Sequence, residues 1–136
     1  SAGLAELLGG QRSGRLIEAH LRPAPPYALG PMLADAGATA MCDVSDGLVV
    51  DLLSLCAASA VGVLLDVAAL PRADGAAVSD ALHGGEDHAL LATVPLAALE
   101  ELRGVVAVGR VRRGAGVYDL LGEPLLPQGW QHWPSG

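Results

Sequence analysis

The stretch TAMCDVSDGLVVDLLSLC, residues 39–56, carries the main signal for how this chain folds. Its first part, residues 39–43, is short and largely apolar, as expected of a buried strand. Ser45 is a preferred type of helix N-cap, and Asp46 follows where the helix dipole stabilises an anion. Apolar side chains then recur at the helical interval, at Leu48, Leu52, Leu55 and Cys56. The stretch therefore predicts a buried strand, a tight loop and an amphipathic helix.

Helical and strand-like segments alternate along the rest of the chain. Apolar spacing and Gly/Pro breaks predict helices over residues 4–8, 12–21, 27–36, 74–82 and 95–102, and strands over residues 61–67, 88–94, 105–111 and 117–121. The chain has 136 residues, of which 51% are hydrophobic, so it is the size of one domain with an apolar core. This alternation predicts an α/β (α+β) sandwich.

The charge balance limits the possible partners. The formal net charge is −7, and the basic residues are scattered along the chain. A surface of this kind disfavours nucleic acid and anionic membranes as partners. It does not disfavour a phosphorylated ligand, because a divalent metal ion reverses the sign of charge at a carboxylate-rich site.

The cysteines and the hydropathy pattern indicate the compartment. Cys42 and Cys56 match no metal-binding spacing, and two cysteines make a disulfide framework improbable. No apolar run approaches the roughly 20 residues that span a bilayer. We therefore expect a cytoplasmic protein without a membrane segment.

The first candidate site is the loop Asp43-Val44-Ser45-Asp46-Gly47-Leu48. It joins a strand to a helix N-terminus, where free backbone N–H groups attract phosphate. Asp43 and Asp46 are hard oxygen ligands suited to Mg²⁺, and Ser45 can donate a hydrogen bond to a phosphate oxygen. Gly47 allows a ligand to approach the backbone closely. The same residues also fit a capped helix that binds nothing, and spacing alone leaves both interpretations open.

Two further segments carry chemical groups. The turn His83-Gly84-Gly85-Glu86-Asp87-His88 presents carboxylates before a predicted strand, or is an ordinary exposed connection. The two histidines match no zinc spacing, and we expect them to face solvent. Near the end of the chain, Trp130 and Trp133 offer stacking surfaces for a cationic heteroaromatic ligand, or cover the edge of the core.

Taken in order, these segments resemble the thiamine-monophosphate kinase family. DVSDGL, GGEDHALLATV, VGRV and GWQHW are similar to the family motifs DISDGL, GGEDYELLFTV, IGRV and GWDHF. The segment EAHLRP, residues 18–23, and Leu29-Gly30 also resemble the family's entry into its second domain. The resemblance covers nearly the whole chain. It departs from the family at three positions, where Tyr, Glu and Phe are replaced by His88, Ala89 and Ala92.

The resemblance implies both a fold and an activity. It implies a three-layer α/β sandwich with partial ferredoxin-like topology, as in the carboxy-terminal domain of the aminoimidazole ribonucleotide synthetase superfamily. Residues 1–136 would be that single domain, taken from a two-domain, homodimeric kinase whose amino-terminal ATP-binding domain is absent. The activity implied is ATP-dependent phosphorylation of thiamine monophosphate to thiamine diphosphate, with the isolated chain expected to be inactive.

The resemblance also implies roles for particular residues. Asp43 and Asp46 would ligate Mg²⁺, and Ser45 would contact an ATP phosphate. Glu86 would contact thiamine phosphate, and Trp133, or alternatively Trp130, would contact its rings. Two other interpretations stay open: a non-catalytic binding or dimerisation module, and another member of the same superfamily, such as a synthetase or a hydrogenase-maturation factor.

Overall fold

The computed structural model of the protein describes residues 2–85 and 88–128. The helices are α1 (Ala2–Leu8), α2 (Arg15–Leu21), α3 (Leu29–Asp35), α4 (Leu48–Ser59) and α5 (Val78–His83). The strands are β1 (Ala40–Val44), β2 (Gly62–Leu65), β3 (Ala89–Thr93), β4 (Gly109–Arg112) and β5 (Gly116–Asp119). Short 3₁₀ turns lie at Val67–Ala69 and Leu96–Ala98.

The strands form two small sheets. In one, β1 and β3 are antiparallel, with Val44 opposite Ala89. In the other, β2 is central, antiparallel to β4 and parallel to β5. The mixed α/β class predicted from the sequence is confirmed. Its finer description as a three-layer sandwich with partial ferredoxin-like topology stays a prediction.

Helix α4 is the centre of the core, because it packs against β1, β2, β5 and α5. Its buried side chains are Leu48, Val49, Leu52 and Cys56, which is the predicted apolar stripe with Val49 in place of the half-buried Leu55. Burying a Leu or Val side chain contributes about 1.5–3 kcal/mol. The two ends of the strand-to-helix connection are thereby fixed by packing.

Several predicted elements are shorter than expected. The helix predicted over residues 95–102 is only the 3₁₀ turn at Leu96–Ala98, in which Leu96 is 83% exposed, whereas Leu102 beyond the turn is buried. The strand predicted over residues 105–111 begins at Gly109, since its partner β2 ends at Leu65, opposite Gly109. Helix α5 begins at Val78, where the Asp80 carboxylate accepts the Ala77 N–H at 3.0 Å.

The sequence predicts no membrane-spanning segment, and the helices within residues 2–85 and 88–128 bear on this prediction. None of them has the combination of length and apolar character that crossing a bilayer requires.

Candidate functional site

A three-residue loop, residues 45–47, joins the end of β1 to the start of α4. Val44 before the loop and Leu48 after it both belong to the buried core. Ser45 and Asp46 are half-buried between them. The structure therefore places Ser45, predicted to contact phosphate, and Asp46, predicted to bind Mg²⁺, at a junction that packing holds at both ends.

The N-cap of α4 is Gly47, so the prediction that Ser45 caps the helix is wrong. The Asp51 N–H donates to the Gly47 carbonyl oxygen at 3.0 Å, which starts the helix two residues later than expected. Gly47 has φ 118°, a conformation that side chains with a Cβ rarely adopt. The Ser45 hydroxyl is consequently not committed to capping α4.

Two of the three backbone N–H groups of the loop are paired with a side chain of the helix. The Asp51 Oδ2 atom accepts the Ser45 N–H at 2.9 Å and the Asp46 N–H at 3.2 Å. Helical side chains tilt toward the helix N-terminus, so a residue in the first turn can reach back to the loop. The expectation of free N–H groups for phosphate is therefore wrong at Ser45 and Asp46.

Asp51 is the residue of this site that sequence reasoning missed. Its position off the apolar stripe of α4 is visible in the sequence, and so is its place in the first turn. That pattern is shared with any solvated helical carboxylate, so only the folded loop identifies its partners.

The turn that carries the second motif packs directly against this loop. A Cβ placed on Gly85 would lie 2.6 Å from the Ser45 carbonyl oxygen, and one on Gly47 would lie 3.1 Å from the His83 carbonyl oxygen. The His88 N–H also donates to the Val44 carbonyl oxygen at 3.1 Å. Glycine is required at such close backbone approaches. The structure thus brings together two motifs that lie far apart in the sequence.

The two histidines of this turn differ from expectation. His83 and His88 are both half-buried, so the prediction that they face solvent is wrong. The Nδ1 atom of His83 is buried and has no hydrogen-bond partner among the described residues. His88 has φ 49°, in the left-handed region, just before β3 begins. Packing of the turn against the loop between β1 and α4 accounts for their burial.

Two carboxylates share a cavity beside the loop. A cavity of about 260 Å³ is lined by Cys42, Asp43, Asp51, Ser54, Leu55 and Ala58. Burial raises the pKa of the Cys42 thiol, and the negative charges of Asp51 and Asp43 raise it further. The cavity is therefore acidic. A larger cavity of about 360 Å³ is lined by residue 70 and residues 72–76, and by none of the predicted site residues.

The donor atoms at this site fit Mg²⁺ only in part. Within residues 2–85 and 88–128, no group of three or more His, Cys, Asp and Glu side chains is arranged to hold a metal ion. Asp43 and Asp51 nevertheless supply hard carboxylate oxygens to one cavity. Mg²⁺ is commonly held by one or two carboxylates together with substrate phosphates and water. The predicted ligands Asp43 and Asp46 fit an ion shared with a phosphorylated ligand and do not form a complete protein cage, while the Oδ2 atom of Asp51 already accepts the loop N–H groups.

Three predicted substrate-contacting residues lie outside the described residues. These are Glu86, Trp133 and its alternative Trp130. Their assigned roles stay predictions.

Comparison with known proteins identifies relatives of the chain. No profile of a known protein family matches it. The chain is 46% identical, over 88 residues, to the thiamine-monophosphate kinase of Salmonella typhimurium. The matched stretch covers 59% of this chain and 27% of that protein. It is 40% identical, over 119 residues, to the thiamine-monophosphate kinase of Halobacterium salinarum, covering 79% of this chain and 41% of that protein.

Solved structures agree with the sequence relatives. The structure described as AaThiL complexed with AMPPCP and TMP superposes with a TM-score of 0.86 at 32% identity, covering 97% of this chain and 47% of that one. The relatives are kinases, a class of phosphotransferase. The chain is a homologue of part of the thiamine-monophosphate kinases, which confirms the resemblance drawn from its motifs. It spans about half or less of the length of these relatives.

Proposed function

We propose that this chain is the carboxy-terminal domain of a two-domain kinase that transfers a phosphoryl group from ATP to thiamine monophosphate, giving thiamine diphosphate. The observation that carries the proposal is the packing of the Gly84-Gly85 turn onto the loop at residues 45–47, beside an acidic cavity. Homology to kinases of that name and to a structure complexed with AMPPCP and TMP supports the reaction. The chain would supply part of the active site of a cytoplasmic homodimer.

The proposed ligands come from three segments of the sequence. Asp43 and Asp46 would hold Mg²⁺ together with phosphate oxygens, and Ser45 would donate its hydroxyl to an ATP phosphate. The exposure of Asp43 at the end of β1 and the freedom of the Ser45 hydroxyl from helix capping support these roles. Glu86, which directly follows Gly85 in the chain, would contact thiamine phosphate, and Trp133 or Trp130 its rings.

The chemistry requires two anions to meet, so charge neutralisation and alignment are the main tasks. When bound, Mg²⁺ would neutralise part of the charge on the phosphates. The acceptor is an anionic phosphate oxygen and needs no strong general base. Accordingly, the residues of this chain would bind and orient: the loop backbone fixes Ser45 and Asp46, and the carboxylates repel phosphates that arrive without a cation.

Replacing Asp46 with Asn in the full-length kinase tests the metal role. We expect kcat to fall by about 10²- to 10³-fold, because an amide oxygen is a much weaker ligand for Mg²⁺ than a carboxylate. Asp74→Asn is the matched control, since the Asp74 side chain is fully exposed and makes only a 3.9 Å ion pair with Arg15. Turnover by the Asp46 variant close to that of the control would contradict the proposal.

A second candidate is that the isolated chain is a non-catalytic binding or dimerisation module. Two observations favour it for the chain on its own: it spans less than half of the solved relative, and its described residues hold no three-ligand metal group. Calorimetric titration of the chain with Mg-ATP and thiamine monophosphate separates the candidates. Turnover by the chain alone would exclude the non-catalytic module.

A further inference from the structure

Three aspartates of the described residues each accept two backbone N–H groups. Asp66 accepts those of Ala68 and Ala69, and Asp119 accepts those of Leu121 and Glu123. Both of these side chains close a local turn that follows them in sequence. Asp51 instead reaches back from a helix to the N–H groups of Ser45 and Asp46. Asp51 is therefore the one of the three that holds a loop with predicted ligands.

The N–H groups that Asp51 holds lie in a gap between two regular elements. The ladder between β1 and β3 ends at the pair of Val44 and Ala89. The hydrogen bonds of α4 begin with the Gly47 carbonyl oxygen. Ser45 and Asp46 lie between these limits, so neither the strand nor the helix fixes their N–H groups. A half-buried N–H group without a partner is costly, and the Asp51 carboxylate removes that cost.

We propose that Asp51 is a positioning residue of the phosphotransfer site. Its carboxylate fixes the backbone of Ser45 and Asp46. The fixed backbone in turn positions the two side chains proposed to contact phosphate and Mg²⁺. The proposal rests on the proposed function of this loop. Both hydrogen bonds end on the same oxygen, Oδ2. A single acceptor oxygen in that place is therefore sufficient for the role, and a negative charge is not essential to it.

Two substitutions separate positioning from a role of the charge itself. Asp51→Asn retains one acceptor oxygen of nearly the same shape, whereas Asp51→Ala removes it. In the full-length kinase we expect Asp51→Ala to lower kcat/KM by about 10- to 100-fold, because small displacements of reacting groups have effects of this size. We expect Asp51→Asn to restore most of that loss. Equal inactivity of the two variants would overturn positioning and indicate a role for the charge.

Asp119→Ala is the control for a merely structural effect. It removes the same number of hydrogen bonds, with lengths of 2.8 and 2.9 Å, from a turn outside the proposed site. We expect Asp51→Ala and Asp119→Ala to lower the Tm by similar amounts, while the control keeps kcat/KM within about twofold of the parent. A similar loss of kcat/KM in both variants would overturn the proposal.

Amide hydrogen exchange in the same full-length protein tests the contact without catalysis. In Asp51→Ala, we expect the Ser45 and Asp46 amides to exchange about tenfold faster. In Asp119→Ala, the faster amides should be those of Leu121 and Glu123. Unchanged protection of Ser45 and Asp46 would overturn the proposal even if the kinase were active. A parent protein that fails to phosphorylate thiamine monophosphate would instead refute the proposed function, whatever the exchange rates.

Discussion

The loop at residues 45–47 and the turn at residues 119–123 share one hydrogen-bonding pattern but differ in their surroundings. In each, one aspartate side chain accepts two backbone N–H groups. The turn is self-contained, because Asp119 also accepts the Gly122 N–H through its backbone oxygen at 3.1 Å. The loop depends on Asp51 from a helix and on Gly85 from a distant turn. Similar hydrogen bonds thus shape one segment locally and the other through the tertiary fold.

Among substitutions that test the difference between the loop and the turn, Gly85→Ala is expected to have the largest effect on stability. Its Cβ would lie 2.6 Å from the Ser45 carbonyl oxygen, a backbone atom that cannot rotate away. We expect the free energy of unfolding to fall by about 2–3 kcal/mol, because the turn must separate from the loop. Urea unfolding followed by circular dichroism measures the change.

Gly122→Ala is the matched substitution in the self-contained turn. Gly122 has φ 89°, but nothing lies within 4 Å of a Cβ at that position. Only backbone strain remains, so we expect a loss of about 1 kcal/mol. If Gly85→Ala were no more destabilising than Gly122→Ala, the close packing of the loop and the turn would be wrong.

The smallest expected effect is the change that Asp51→Asn makes to the pKa of Cys42, a thiol beside the loop. Burial, then Asp51 and Asp43, raise the pKa of Cys42, whereas burial alone raises that of Cys56. Removing the charge in Asp51→Asn stabilises the Cys42 thiolate and therefore lowers its pKa toward the ordinary value. At a fixed mildly alkaline pH, Cys42 should then react faster with iodoacetamide.

Mass spectrometry of the alkylated protein over a range of pH measures this shift. Cys56 is the internal control, since no carboxylate contributes to its raised pKa. Asp119→Asn is the external control and should leave both thiols unchanged. An unaltered profile for Cys42 in Asp51→Asn would show that the charge of Asp51 does not raise the pKa of Cys42.

The same comparison explains which parts of the structure could be predicted. The turn at residues 119–123 depends on Asp119 and Gly122, residue types that favour turns formed within a few residues of the chain. The N-cap of α4 was assigned to Ser45 by the same kind of rule, and the assignment is wrong. At the start of α4, Gly47 lies against the backbone of His83, which is distant in the sequence. A rule based only on neighbouring residues does not include such a contact.

The candidate site shows a similar division. Asp43, Ser45 and Asp46 could be selected from the sequence, because carboxylates and a hydroxyl at a strand-to-helix junction suit magnesium and phosphate. Asp51 could not, since its partners are backbone groups that any sequence would present. The homology to thiamine-monophosphate kinases was predictable from the motifs. The proximity of the first two motifs in space was not predictable.

The sequence by itself determined the alternation of helices and strands, the apolar stripe of α4 and the motifs of the kinase family. These depend on side-chain periodicity and residue type, which are written along the chain. Only the tertiary structure decided that the Gly84-Gly85 turn contacts the Ser45 backbone and that Asp51 holds the loop. Such contacts arise where the packing of β1, β3 and α4 brings distant backbone segments within hydrogen-bonding range.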